Sequence, residues 1–170
     1  MKKVVFIFVA LIFSFTINAQ DETSGDVTSK GGWVIEVNTG TWATGNTAFS
    51  LFSTDGSTFW SIGAEAGYFV IDDLAIKVGL GYQDADIGDG IFTYKIGAKY
   101  YIDGQFPVGA DFTGLSSDGT DASWVGLQAG YAWFVADRVS IEPTLRYNLT
   151  LDELKAESAF QGLIGFAFYF

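Results

Sequence analysis

Residues 67–82, GYFVIDDLAIKVGLGY, contain two runs of alternating apolar and small or polar residues on either side of a tight turn at 71–73. Strict alternation is typical of half-buried β-strands, because successive side chains of a strand point to opposite faces. A connection of so few residues joins antiparallel strands. This stretch therefore predicts a β-hairpin.

The same alternation recurs from residue 33 to the end of the chain. Eight such stretches, separated by clusters of Gly, Asp and Ser, begin at Trp33, Phe59, Leu74, Phe92, Val108, Val125, Val139 and Phe160. Most are close to the ~9–11 residues that a tilted strand needs to cross a bilayer, and membrane barrels have an even number of strands. We therefore predict an all-β fold over residues 33–170: an eight-stranded antiparallel up-and-down transmembrane β-barrel.

The charged residues of these strands all lie on the face opposite the aromatic side chains. They are Glu36, Glu65, Lys77, Lys95, Lys99, Asp111, Glu142 and Arg146. A membrane barrel turns its apolar face outward, whereas a soluble barrel turns it inward. The polar face is also rich in glycine and alanine, which suits a narrow interior that must accommodate a few long side chains.

Four acidic and four basic groups in such an interior must neutralise one another. We therefore predict a lumen ion-pair network made of these eight residues, with a direct cross-strand pair between Glu65 and Lys77. On this interpretation, replacing Glu65 by alanine leaves Lys77 buried and unpaired.

The N-terminal residues read as a targeting segment. Lys2 and Lys3 precede an apolar run over residues 4–17, followed by the short polar exit Asn18, Ala19 and Gln20. A run of this length is too short for a spanning helix and matches a secretory signal peptide. We assign residues 1–19 to the signal peptide and residues 20–32 to a flexible leader.

The connections between the strands alternate in length. Tight turns at 71–73, 103–105 and 136–138 alternate with longer segments at 43–58, 84–90, 116–121 and 149–157. Outer-membrane barrels have short periplasmic turns and longer extracellular loops, so both termini are expected in the periplasm. Two aromatic girdles are expected at the rims: Tyr68, Tyr100, Trp133 and Phe168, and Trp42, Trp60, Tyr82 and Trp124. Pro143 lies inside a strand and predicts a bulge there.

Composition excludes several classes of function. The 170 residues carry 9 basic and 20 acidic side chains, a net charge of −11, so a nucleic-acid partner is not expected. The chain has no histidine and no cysteine, so it cannot form a Ser-His pair or a thiolate metal site. We expect no enzymatic activity and no cofactor. Asp84, Asp86 and Asp89 alternate in a glycine-containing loop, which is compatible with either a calcium site or a solvated loop.

Three stretches carry a resemblance to a known family. Residues 67–82, residues 129–148 (AGYAWFVADRVSIEPTLRYN) and the ending GLIGFAFYF are similar to small outer-membrane β-barrels of the OmpA/OmpX and opacity-protein type. The resemblance implies a location in the cell outer membrane, in contact with outer-membrane lipid. It also implies that Gly165, Phe168 and Phe170 form the signal recognised by the barrel assembly machinery. Leu163 departs from the family pattern, which has a polar residue there.

We expect a structural or surface-contact role, with a closed polar lumen and extracellular loops that bind a ligand or surface partner. The candidate loop contact is Phe49, Leu51 and Phe52, because exposed apolar groups often mark contact sites. The same residues could instead extend a strand and be buried against neighbouring loops. Two other functions remain open: a narrow channel or binder for small apolar solutes, and a soluble exported lipid-binding barrel.

Overall fold

The computed structural model describes residues 27–40, 48–54, 57–85, 90–118 and 120–170. Within these residues the chain forms ten strands. They are β1 (Trp33–Asn38), β2 (Ser50–Thr54), β3 (Ser57–Ile71), β4 (Leu74–Ala85), β5 (Ile91–Ile102), β6 (Phe106–Ser117), β7 (Thr120–Gly130), β8 (Trp133–Ala136), β9 (Val139–Thr150) and β10 (Ala159–Tyr169). The predicted signal peptide, Trp42, Asp86 and Asp89 lie outside the described residues.

The strands pair in the order β1-β10-β9-β7-β6-β5-β4-β3-β2, and β1 also pairs with β3, which closes the sheet into a barrel. Strand β8 continues β7 along β9, and β2 continues β1 along β3, beyond the closed part of the barrel. The wall therefore has eight antiparallel strands, and the predicted fold class is confirmed. In the part of the chain that the structure describes, no helix is long and apolar enough to cross a membrane.

Two of the three tight turns at one rim contain residues that tolerate left-handed backbone. Asp73 has φ of 64°, and Asp103 and Gly104 have φ of 51° and 68°. Aspartate and glycine adopt this conformation more readily than other residues, and it matches the twist of two-residue hairpins. The three tight turns lie where the alternation predicts them.

Two connections differ from the sequence-based expectation. Strands β6 and β7 pair as far as Ser117 and Thr120, so the predicted long connection at 116–121 is short. The predicted long loop over 43–58 contains a strand, β2, which forms an antiparallel ladder with the start of β3. In both places, backbone pairing continues beyond the stretch of regular alternation.

Pro143 does not cause a bulge in β9. The pairs Gly130–Thr144 and Trp133–Ile141 have the same register on both sides of the proline. The ladder is interrupted on the neighbouring strand instead, between β7 and β8, where the N–H of Tyr131 still donates to the carbonyl of Pro143 at 3.1 Å. Because proline has no N–H to donate, the ladder has a gap on the partner strand opposite Pro143. The register does not change at that point.

Residues 27–32, which the sequence assigned to a flexible leader, are fixed to the barrel. The N–H of Asp73 donates to the carbonyl of Thr28 at 2.8 Å, and the N–H of Gly31 donates to the carbonyl of Phe69 at 2.8 Å. The side chain of Thr28 is fully buried and its hydroxyl donates to Asp73 Oδ1 at 2.5 Å. This segment lies against the turn between β3 and β4 because it supplies that turn with hydrogen-bond partners.

Candidate functional site

The structure places the eight predicted lumen residues on the inner face of the wall. Seven of them, all except Asp111, are buried as whole residues, and the side chain of Asp111 is itself only 8% accessible. The large apolar residues that alternate with them on the strands are exposed on the outer face. Examples are Ile62, Leu80, Ile96, Leu127 and Leu145.

One cluster joins β1, β3, β4 and β5. The ammonium of Lys77 contacts Glu36 Oε2 and lies 2.8 Å from Glu65 Oε2. The ammonium of Lys95 lies 2.6 Å from Glu65 Oε1. The predicted pair of Glu65 and Lys77 is therefore present. It is diagonal, because the residue directly opposite Glu65 on β4 is Gly79.

Lys99 connects this cluster across the lumen to β9. Its ammonium lies 3.0 Å from Glu36 Oε1 and also contacts Glu142 Oε2. The other oxygen of Glu142 accepts hydrogen bonds from Ser140 at 2.9 Å and from Tyr169 at 3.0 Å. Glu142 is therefore held by groups from three strands, and its charge is neutralised by a lysine from the opposite wall.

Arg146 forms the second cluster with Asp111. Nη2 of Arg146 lies 2.6 Å from Asp111 Oδ1, and Nη1 contacts Asp111 Oδ2, so the two side chains form a bidentate pair. Nε donates to Asn148 at 2.7 Å, and Nη1 donates to Gln128 at 3.1 Å. Across the described residues, no buried side-chain nitrogen or oxygen lacks a hydrogen-bond partner. The polar interior is therefore fully paired, as low dielectric surroundings demand.

Glycines opposite the charged residues create the space for them. A Cβ added to Gly79 would lie 2.8 Å from Glu65 Cγ, and one added to Gly126 would overlap the guanidinium of Arg146. A Cβ on Gly97 would lie 2.7 Å from the Cα of Asp111 on the neighbouring strand. The excess of glycine on the polar face thus has a steric cause.

We expect Gly97→Ala to lower the free energy of unfolding by about 1–3 kcal/mol, because the added methyl group forces β5 and β6 apart. Urea unfolding in detergent micelles measures the change. The matched control is Gly162→Ala, where an added Cβ meets no atom within 4 Å. Equal effects of the two substitutions would contradict the steric explanation.

Aromatic side chains are buried near both ends of the polar interior. At the end with the tight turns, Phe69, Tyr101 and Tyr169 are buried together, with ring centroids 5.9–6.5 Å apart. At the other end, Trp124 is buried against Leu115 and Ala122, and its indole N–H donates to the carbonyl of Glu157 at 3.1 Å.

The girdle position predicted for Trp124 is therefore wrong. Trp124 has the parity of Gly126 and Gln128, so alternation alone turns it inward. The girdle prediction rests only on its position near the rim. The other described girdle residues have the expected outward parity, and Trp33–Tyr68 and Trp60–Tyr82 form ring contacts at 5.0 and 5.4 Å.

The candidate loop contact lies on and beside β2. Phe49, Leu51 and Phe52 are 68%, 63% and 62% exposed. Leu51 pairs with Trp60, and Phe52 pairs with Phe59, which is also exposed. The segment is thus a strand extension, but its apolar side chains are not buried against neighbouring loops.

At the C-terminus, the three predicted signal residues lie at the barrel seam. Gly165 pairs with Glu142 on β9 and with Asn38 on β1. Phe168 and Phe170 are exposed on the outer face. Leu163, the departure from the family pattern, is only half-buried at an inward position.

The loop with alternating aspartates, compatible with a calcium site or a solvated loop, is only partly described. Asp84 lies at the end of β4, whereas Asp86 and Asp89 fall outside the described residues. Among the residues with described positions, no group of three or more acidic side chains is arranged to hold a metal ion.

No protein-family model and no curated protein matches this sequence. Solved structures do match it. The chain is similar to the N-terminal β-barrel domain of Pseudomonas aeruginosa OprF, with 14% identity, a TM-score of 0.53, and coverage of 83% of this chain and 98% of that one. A de novo designed transmembrane β-barrel has 16% identity and a TM-score of 0.47, covering 84% of this chain and 98% of that one. At this identity the likeness to OprF shows the fold, a closed eight-stranded antiparallel barrel, and nothing about ligands.

Proposed function

We propose that this protein is an outer-membrane barrel with a structural or surface-contact role, a closed polar lumen and periplasmic termini. The observation that supports it is the inverted polarity of the wall: apolar side chains are exposed around the outside while the strand charges are buried within. Exposed apolar surface of this extent is unfavourable in water and favourable against lipid.

The lumen is proposed to be closed because both its ends and its middle are filled. The Phe69–Tyr101–Tyr169 cluster occupies one end and Trp124 the other. Between them the ionised side chains bond to one another, so a permeating ion would have to replace several short charge-assisted contacts. Eight strands leave an interior only wide enough for side chains.

The surface contact is assigned to the apolar part of the β2–β3 hairpin, residues Phe49, Leu51 and Phe52. Other described segments at this rim are acidic, with Asp118, Asp121, Asp152, Glu153 and Glu157 against Lys155 alone. Among the described segments of this rim, residues 49–54 carry exposed apolar side chains and no charged residue, so they form the segment best suited to contact an apolar surface. Assembly is proposed to use the C-terminal residues Gly165, Phe168 and Phe170. No catalytic role is proposed.

Planar-bilayer recording tests the closed lumen. We expect the folded protein to give no steady single-channel steps, because the ion-pair network and the buried aromatic clusters occupy the interior. Steady steps of constant size would contradict this expectation. As a control for membrane location, the mature protein must leave the aqueous phase unless detergent is added. Recovery of folded protein in water without detergent would favour the soluble lipid-binding barrel instead.

The second candidate function is a narrow channel or a binder for small apolar solutes. It is favoured by one observation: Phe52 and Phe59 form a cross-strand pair with the inward parity of Ser61, and both are exposed. These rings offer an apolar surface near the mouth of the barrel. The bilayer recording separates a channel from the closed lumen.

A further inference from the structure

A groove of about 560 Å³ opens at the rim with the tight turns, between residues 103–105 and residues 134–137. The first segment joins β5 to β6, and the second leads from β8 into β9. The N–H of Ala132 donates to the carbonyl of Gln105 at 2.7 Å and ties the two hairpins together beside the groove. The lining combines apolar and polar groups from Val27, Phe134, Val135, Gln105, Asp103 and Asp137.

The described lining of the groove is acidic. Neither Asp103 nor Asp137 forms an ion pair with any described residue, and the lining contains no basic side chain. Arg138, next to Asp137, is exposed beside the groove. Two carboxylates in a concave site favour a cation there, while the neighbouring guanidinium favours an anion just outside. A zwitterionic group, with a cation and an anion close together, would complement this arrangement of charges.

The groove also borders the outer wall. Val135 in its lining is half-exposed, and Trp133, two residues earlier on the same strand face, is 60% exposed. Phe106, at the start of β6, and Tyr131, between β7 and β8, make a ring contact at 5.4 Å. Aromatic residues at this level of a membrane barrel mark the headgroup region. If the barrel lies in a membrane as proposed above, the groove is at headgroup depth.

We propose that this groove binds the headgroup of a phospholipid that carries a primary ammonium. The ammonium lies between Asp103 and Asp137, the phosphate faces Arg138, and the acyl chains follow Val135 and Trp133. A primary ammonium has three N–H donors, which match the two carboxylates and the amide oxygen of Gln105. A trimethylammonium headgroup has no such donor.

Native mass spectrometry of the folded protein tests this proposal. The protein in detergent micelles is given equal amounts of phosphatidylethanolamine and phosphatidylcholine with identical acyl chains. We expect about three- to fivefold more of the ethanolamine lipid to be retained, in line with the strength of interfacial ion pairs. The double variant D103N/D137N is expected to lose the preference. Asparagine also tolerates the left-handed backbone at position 103, so this variant keeps the turn.

The matched control is D118N/E153Q, which removes the same charge from two exposed positions at the opposite rim. We expect it to keep the preference. Equal retention of the two lipids by the unmodified protein overturns the proposal. So does a preference that survives in D103N/D137N, or one that D118N/E153Q abolishes equally. Failure to take up either lipid would instead count against the membrane location, so the two failures are distinguishable.

Discussion

Replacing Lys77 by methionine is expected to lower the free energy of unfolding by about 3–5 kcal/mol, the usual range for breaking a buried ion pair. Glu36 on β1 and Glu65 on β3 are directly opposite each other across the line where the barrel closes. Like charges in this position repel. Lys77 bonds to a carboxylate oxygen of each, so its removal leaves the two glutamates facing each other. Urea unfolding of the folded barrel in detergent micelles measures the loss.

Two further variants separate this explanation from a general effect of removing a lysine. Lys155→Met removes an exposed lysine whose ammonium lies 3.9 Å from Asp152, and its expected effect is below about 0.5 kcal/mol. The double variant E36Q/K77M should be more stable than K77M alone, because it removes the repulsion between the two glutamates. Glu65 is still paired with Lys95 in this variant, and Glu142 is still paired with Lys99. A further loss on adding E36Q would contradict the repulsion argument.

The closure of the barrel is sensitive to the loss of Lys77 because the backbone ladders of β1 are short. β1 pairs with β3 at four positions and with β10 at five, whereas β5 and β6 pair at eleven. Fewer main-chain contacts hold β1 in the wall, so the side-chain bonds of Glu36 to Lys77 and Lys99 carry a larger share of its attachment. The ion pairs thus act where the backbone ladder is weakest.

The sequence could predict the faces of the strands but not their register. A period of two assigns every strand residue to one face, and that was enough to turn Arg146 and the other charges inward. Which charges meet depends on how each strand is staggered against the next. The stagger places Glu65 opposite Gly79 and brings Lys95, two strands away, within 2.6 Å of it. No pattern within a single strand contains that information.

Other differences arose where local patterns compete with tertiary context. β2 and its partner are uniform in serine, threonine and apolar residues, so alternation there is weak, and pairing with β3 decides the structure. Trp124 could have been placed correctly, since its parity is unambiguous. Burying the ring with its N–H bonded to a carbonyl satisfies both parts of the side chain, and this outweighs the interfacial preference of tryptophan.

Replacing Glu65 by alanine is expected to lower the free energy of unfolding by about 3–5 kcal/mol as well. The sequence alone attributes the loss to an unpaired Lys77. The structure changes the reason: Lys77 keeps Glu36, whereas Lys95 loses the carboxylate that forms its ion pair in the described residues. The same urea unfolding experiment measures the size of the loss, and second substitutions identify its source.

In the Glu65→Ala background, Lys95→Met should recover part of the stability, because it removes the cation that has lost its ion-pair partner. Lys77→Met in the same background should not, because it would leave Lys95 unpaired and would also remove a bond to Glu36. These two double variants delete the same charge from the same lumen, so a difference between them cannot come from net charge. Recovery by Lys77→Met and not by Lys95→Met would show that the stagger of β3, β4 and β5 differs from the one described. The pairing of single side chains thus reports the register of the wall.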